Sequence, residues 1–215
     1  MTLLTLPDKT MMYDWFGLNE SIFRFVNSFH GETYDLVMLL LTRIGDRHNF
    51  PYYMGALIVC ALLGFIAKKI HSKGGAKQSL VLWLGVLLVL VGGYFGGGWT
   101  VKEIKETFAY PRPYAVLSDV HMIDPGYYGK DDDHHSFPSG HAFFITLMVI
   151  GLWPVLSDYL RSVGLFLILG VGWSRMAVGM HFPADVLAGI ILGVVVTAVM
   201  QMIVSRVLSV FRLRT

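Results

Sequence analysis

Apolar residues in this chain fall in long unbroken runs, not in the alternation of a half-buried strand or the seven-residue rhythm of a coiled coil. Five runs read as helices that cross a bilayer: Phe50 to Ala67, Ser79 to Trp99, His141 to Leu156, Arg161 to Val178 and Pro183 to Val204. About 20 apolar residues cover the hydrocarbon core, fewer where flanking side chains reach the headgroups. The third and fourth runs are short by that measure. Ahead of them, "ETYDLVMLLLTRIG" has an apolar centre too short to cross alone. The stretch "WFGLNESIFRFVNSF" sets Phe16, Phe23, Val26 and Phe29 at helical spacing, with Asn19, Glu20, Arg24 and Asn27 between them. The pair reads as an interfacial helix followed by a short inserted one; the alternative is one longer spanning helix. The expected architecture is all-α: a polytopic bundle of five to six transmembrane helices with an N-terminal interfacial segment over residues 1–32, in a single domain over 1–215.

Composition agrees with a lipid solvent. The chain is 54% hydrophobic and 15% charged, where a soluble domain carries about 25% charged residues. A net charge of +2 without a basic–aromatic stripe excludes a nucleic-acid partner. Cys60 is the sole cysteine, so no disulfide framework exists within the chain. The first 30 residues lack the charged start and apolar core of a cleavable signal peptide.

Positive charge orients the bundle. "KKIHSKGGAK", Lys68 to Lys77, holds four lysines, and the tail holds Arg206, Arg212 and Arg214. Cytoplasmic loops collect such residues. Residues 100–140, read as a long loop, and the turn at His181 then face the other side, which in a bacterial inner membrane is the periplasm. The span ending at Trp99 closes on "GGYFGGGW", with glycines at 92, 93, 96, 97 and 98. Close helix packing is the plain reading, and a hinge or widened entry for a bulky substrate is the sharper one.

Three polar clusters fall on that outer side: "KETFAYPRP" with Lys105 and Arg112, "PSGH" with Ser139, Gly140 and His141, and "SRMAVGMHFPAD" with Ser174, Arg175, His181 and Asp185. Singly, each has a plain explanation, such as interfacial lysine and arginine beside headgroups or a polar residue at a helix start. Arg175 is harder to dismiss, because an ionisable group near the end of an apolar span is costly unless paired or functional. Together the clusters fit a phosphate. Lys105, Arg112 and Arg175 supply three cations, and arginine adds bidentate hydrogen bonds. Ser139 offers a hydroxyl, Gly140 a close backbone approach, and the following helix an N-terminus that favours anions. Of two histidines, one can attack phosphorus and the other can protonate the departing oxygen. His181 and Asp185, four apart, share a face if the helix begins at the turn.

The order Lys-x6-Arg-Pro, Pro-Ser-Gly-His, Ser-Arg-x5-His-x3-Asp resembles the type-2 phosphatidic acid phosphatase superfamily, which also includes vanadium haloperoxidases. All three motifs fit without a departure in spacing, from Lys105 to Asp185. The resemblance implies that His181 is the nucleophile, forming a phosphohistidine, that Asp185 orients it, and that His141 is the general acid and then activates water. It implies that Lys105, Arg112, Ser139, Gly140 and Arg175 hold the phosphoryl oxygens, with Ser174 in support and with no metal or cofactor. Lys102, one turn before Lys105, lies outside the motif. The substrates implied are membrane lipid phosphates and pyrophosphates: undecaprenyl pyrophosphate first, then phosphatidylglycerol phosphate, phosphatidate or the 1-phosphate of lipid A. The bilayer and its lipid are the expected partners.

Within "KDDDHHSFPSGHAFF", Asp131, Asp132, Asp133, His134 and His135 lie outside the motifs. Adjacent carboxylates converge poorly on one ion, so they read as a solvated loop ahead of gating, headgroup choice or a metal site. Three other classes compete. A haloperoxidase is expected to be soluble, against these apolar runs. A lipid phosphotransferase would use the same histidines. A transporter would spread its charges through the depth of the bundle, whereas these gather at one side.

Overall fold

The computed structural model describes residues 13–71, 75–123 and 133–212. Among these residues the regular structure is helical, with no strand. The order is α1 (Leu18–Asn27), α2 (Glu32–Ile44), a 3₁₀ turn (Arg47–Asn49), α3 (Phe50–His71) and α4 (Gly75–Gly92). A π turn (Gly93–Gly97) leads into α5 (Gly98–Phe108), followed by the short α6 (Pro113–Val116), α7 (Gly140–Leu152), α8 (Asp158–Ala177) and α9 (Pro183–Arg212). Four stretches, Arg47–Ile70, Gly75–Val116, Asp158–Ala177 and Pro183–Ser209, are long and apolar enough to cross a bilayer, and the shorter apolar Gly140–Val155 sits among them.

That shorter helix is the centre of the bundle. α7 is apolar on every face, and all residues from Ala142 to Val149 are buried, as a helix without a polar face must be. α4, α8 and α9 pack along it and α3 lies outside against α4. α3, α8 and α9 turn Leu62, Ile66, Phe166, Leu169, Leu187 and Ile191 outward, where lipid rather than water meets them. α9 lies close against α7 because Gly189 and Gly193 leave room. A β-carbon at Gly189 would run into the Ser139 carbonyl, and one at Gly193 would stand 2.7 Å from Thr146 Cβ. This small-x3-small spacing was present in the sequence.

The glycines of "GGYFGGGW" divide. Gly93 and Gly97 are buried, and β-carbons there would collide with Leu147 and Phe143, while Gly96 and Gly98 face open space. Close packing therefore accounts for the inward pair. Four apart, the two glycines share the face that meets α7. Helix also continues beyond the expected stop at Trp99, through α5 to Phe108. Hydropathy falls at Thr100, but backbone hydrogen bonding does not; the helix ends where Ala109 takes the left-handed conformation, φ 46°, two residues before Pro111. Lys105 is thus a helix residue, not part of a loop.

At the N-terminus α1 presents an unexpected face. Asn19, Phe23, Val26 and Asn27 are buried together, whereas Phe16 and Phe29 are exposed and the two do not share the inward side. Polar Asn19 and Asn27 turn inward because each has backbone partners there. α2 is too short to span; Thr42 faces α8 while Leu36, Val37 and Leu40 are exposed.

Candidate active site

All three motifs meet at one end of the bundle. The chain between α8 and α9 makes a tight turn in which Arg175 O accepts from both Met180 N (3.1 Å) and His181 N (3.2 Å). Gly179 has φ 81°, and a β-carbon there would meet Met122 Sδ at 2.7 Å and His121 O at 3.0 Å, so only glycine fits. This turn delivers His181 and, at the start of α9, Asp185, with 2% and 0% of their surfaces exposed. Asp185 Oδ2 lies 3.4 Å from His181 Nδ1. The same oxygen accepts from Phe182 N at 2.8 Å and from Ser136 Oγ at 2.5 Å. Fixed donors hold the carboxylate in place, leaving it little freedom except to face the ring.

Arg112 reaches the same ring from the other motif. Its Nη1 donates to Met180 O at 3.1 Å and stands 3.4 Å from His181 Nε2. Two backbone bonds fix the segment that carries it: Arg112 N to Asp133 O (2.8 Å) and Ser136 N to Tyr110 O (2.9 Å). Lys105 Nζ, from α5, donates to the His135 carbonyl. The described end of the acidic run is therefore tied to the first motif through Asp133, His135 and Ser136. Asp131 and Asp132 lie outside the described residues.

The second motif opens α7. Ser139 is the N-cap, its Oγ accepting from Ala142 N at 3.5 Å, and its own N donates to Asp185 O at 2.9 Å. A backbone bond thus joins "PSGH" to the segment that carries His181 and Asp185. The first-turn N–H groups at Gly140 and His141 have no partner within the helix's own ladder, an arrangement that favours an anion. A β-carbon at Gly140 would meet nothing within 4 Å. Protein packing does not demand glycine there. His141 Nε2 is buried and has no hydrogen-bond partner among the described residues.

Arg175, 2% exposed, completes the group from the last turn of α8. Its Nη1 lies 3.5 Å from Thr42 Oγ1, which lies 2.9 Å from Ser174 Oγ. Ser174 therefore meets Thr42 of α2, the same hydroxyl that Arg175 approaches. Lys102 stands apart: it pairs with Glu106 at 3.6 Å on an exposed face of α5.

Electrostatics follow from this crowding. Burial, then Arg112, Arg175 and Lys105, hold the His181 imidazole well below its ordinary proton affinity. The folded protein therefore favours the neutral ring. Below about pH 6.5 the unfolded chain takes up a proton here that the folded protein refuses, so this group subtracts stability as pH falls. The melting midpoint in detergent is expected to drop between about pH 7.5 and about pH 5, and by more in the wild type than in His181→Gln.

Gly140→Ala is expected to leave the melting midpoint unchanged, because its methyl enters empty space. Phosphate release should fall about a hundredfold, the penalty of displacing a bound group by about 1 Å.

Two residues at the site carried no motif signal. Ser136 holds Asp185 and lies 3.4 Å from His181 Nδ1. Tyr13, 172 positions away, donates to Asp185 Oδ1 at 2.7 Å. Contacts at such separation leave no local pattern. A cavity of about 610 Å³ opens at the opposite end, between α4, α7 and α9, lined among others by Gln78, Trp153 and Gln201; no motif residue borders it.

The chain is similar to proteins of related name and shape. It is 25% identical over 177 residues to the undecaprenyl-diphosphatase of Sulfolobus acidocaldarius, across 82% of this chain and 74% of that protein. It is 26% identical over 155 residues to the lipid A 1-phosphatase of Rhizobium johnstonii, across 72% of this chain and 61% of that one. The crystal structure of the PAP2-type phosphatidylglycerolphosphate phosphatase from Bacillus subtilis shares its fold, with a TM-score of 0.63 at 20% identity over 94% of this chain and 92% of that one. Residues 80–208, more than half of the chain and the whole of the three motifs, match the PAP2 superfamily, and the protein belongs to that superfamily as a membrane-embedded lipid phosphatase.

Proposed function

We propose that the chain is a single membrane domain that hydrolyses undecaprenyl pyrophosphate at the periplasmic face of a bacterial inner membrane. The observation that carries the reading is the convergence of buried Arg112, Arg175, His181 and Asp185 at the start of α7, where Ser139 N donates to Asp185 O. In this reading Lys105, Arg112, Arg175, the Ser139 hydroxyl and the N–H groups at Gly140 hold the terminal phosphoryl oxygens. His181 Nε2 attacks phosphorus in line, and a P–N bond forms as the P–O bond to the lipid phosphate breaks. His141 gives its proton to the departing oxygen. Water then attacks the phosphohistidine, His141 takes its proton, and the P–N bond breaks to release inorganic phosphate. Asp185 steadies the positive ring formed in between. Three cations offset the phosphate charge without calling on a metal.

Support for the orientation comes from Lys68, Lys69, Lys77 and Arg206, which lie toward the ends of spans away from His181. The similarity to an undecaprenyl-diphosphatase over most of both chains supports the substrate. The test is phosphate release by the purified protein from undecaprenyl pyrophosphate, phosphatidylglycerol phosphate, phosphatidate and lipid A 1-phosphate, each with and without chelator. Undecaprenyl pyrophosphate is expected to be fastest, with rates indifferent to chelator. Preference for a glycerophospholipid would move the assignment to that lipid, and loss of activity in chelator would give the acidic run a metal role.

A further inference from the structure

We propose that Tyr13 is a positioning residue for the His181–Asp185 pair, so that the N-terminal element is a working part of the active site. This rests on the reading of His181 and Asp185 as the catalytic pair. Ser136 and Phe182 N hold one oxygen of the Asp185 carboxylate, and Tyr13 OH holds the other, Oδ1, at 2.7 Å. The phenol is itself fixed. Its ring stacks on Tyr110 with centroids 4.3 Å apart and meets Phe137 and Phe182 edge-on at 6.1 and 6.2 Å. Burial, followed by the Asp185 charge, pushes its ionisation far above the ordinary tyrosine range, so it remains a donor.

The helix that follows grips the same turn at both ends. Asn19 Oδ1 accepts from Ala184 N at 2.9 Å, and Asn27 Nδ2 donates to Ala177 O at 2.9 Å. Phe23 packs on Phe182, centroids 5.3 Å apart. The opposite face of α1 exposes Ile22 and Phe25, side chains suited to the lipid interface. An interfacial helix thus holds the segment that carries both members of the pair.

A buried tyrosine often finds an acceptor merely to satisfy its hydroxyl, and the test must separate that role from positioning. Tyr13→Phe keeps the ring and removes only the donor. Without it the carboxylate is more basic and draws a proton onto His181 more readily. The full-length variant, assayed in detergent with the preferred lipid of the panel above, is expected to lose about tenfold in kcat, with KM within about twofold. The acid limb of its pH–rate profile should move to higher pH while the melting midpoint holds. Asn19→Ala serves as the structural control: a lower melting midpoint with the acid limb in place. Unchanged kcat and pH profile in Tyr13→Phe would overturn the proposal, as would a loss of rate that merely follows a loss of stability. His181→Ala, measured alongside, tests the underlying pair. If it kills activity while Tyr13→Phe does nothing, only the role of Tyr13 fails.

Discussion

His181→Ala is expected to abolish phosphate release, by at least about 10⁴-fold in kcat, while the variant still folds and binds lipid. The size follows from what the ring does. In the proposed mechanism its nitrogen is the atom that bonds to phosphorus, and the site fixes the ring from both sides. Asp185 Oδ2 faces one nitrogen at 3.4 Å, and Arg112 stands 3.4 Å from the other. Loss of the imidazole leaves the cations and the α7 N-terminus able to hold phosphate, so binding should survive. The check is phosphate release under saturating lipid, with melting midpoint and detergent gel filtration as folding controls. A retained rate would remove His181 from the chemistry altogether.

Asp185→Asn is the second large loss, about 10³-fold or more in kcat. The change is nearly isosteric, but each carboxylate oxygen in the native site accepts a donor: Tyr13 OH on one, Ser136 Oγ and Phe182 N on the other. An amide can accept at only one of these positions and must point its NH₂ at a donor on the other side. It also withdraws the negative charge that offsets the imidazolium of the intermediate. Rapid-quench kinetics should show the slowing in formation of the phosphoenzyme. Loss of activity through KM alone would instead assign Asp185 to binding.

Much of this site was legible as spacing. Lys105, Arg112, Ser139, Gly140, His141, Arg175, His181 and Asp185 come from three stretches, and the fold gathers all three at one end. They were legible because charged and hydroxyl groups beside apolar runs stand out against so few other polar residues. The reach of α5 was not, because hydropathy marks where a helix leaves lipid, not where its hydrogen bonds stop. The inward face of α1 was hidden for a related reason. In a membrane protein Phe25 and Phe29 can face outward into lipid, while Asn19 and Asn27 turn inward to backbone groups at residues 184, 121 and 177. Tyr13 and Ser136 were invisible, since only the assembled bundle brings them to Asp185. Gly189 and Gly193 could have been found from their spacing alone.

The proposed transfer in two steps through His181 makes a stereochemical demand. Each in-line displacement inverts phosphorus, so two of them restore its original configuration. A lipid pyrophosphate made chiral at its terminal phosphorus with sulfur and one heavy oxygen isotope, hydrolysed in water of the third isotope, puts this directly to the test. The account predicts that the released thiophosphate retains configuration. Inversion would mean a single attack by water, and His181 would then be a base or a binding group rather than the nucleophile.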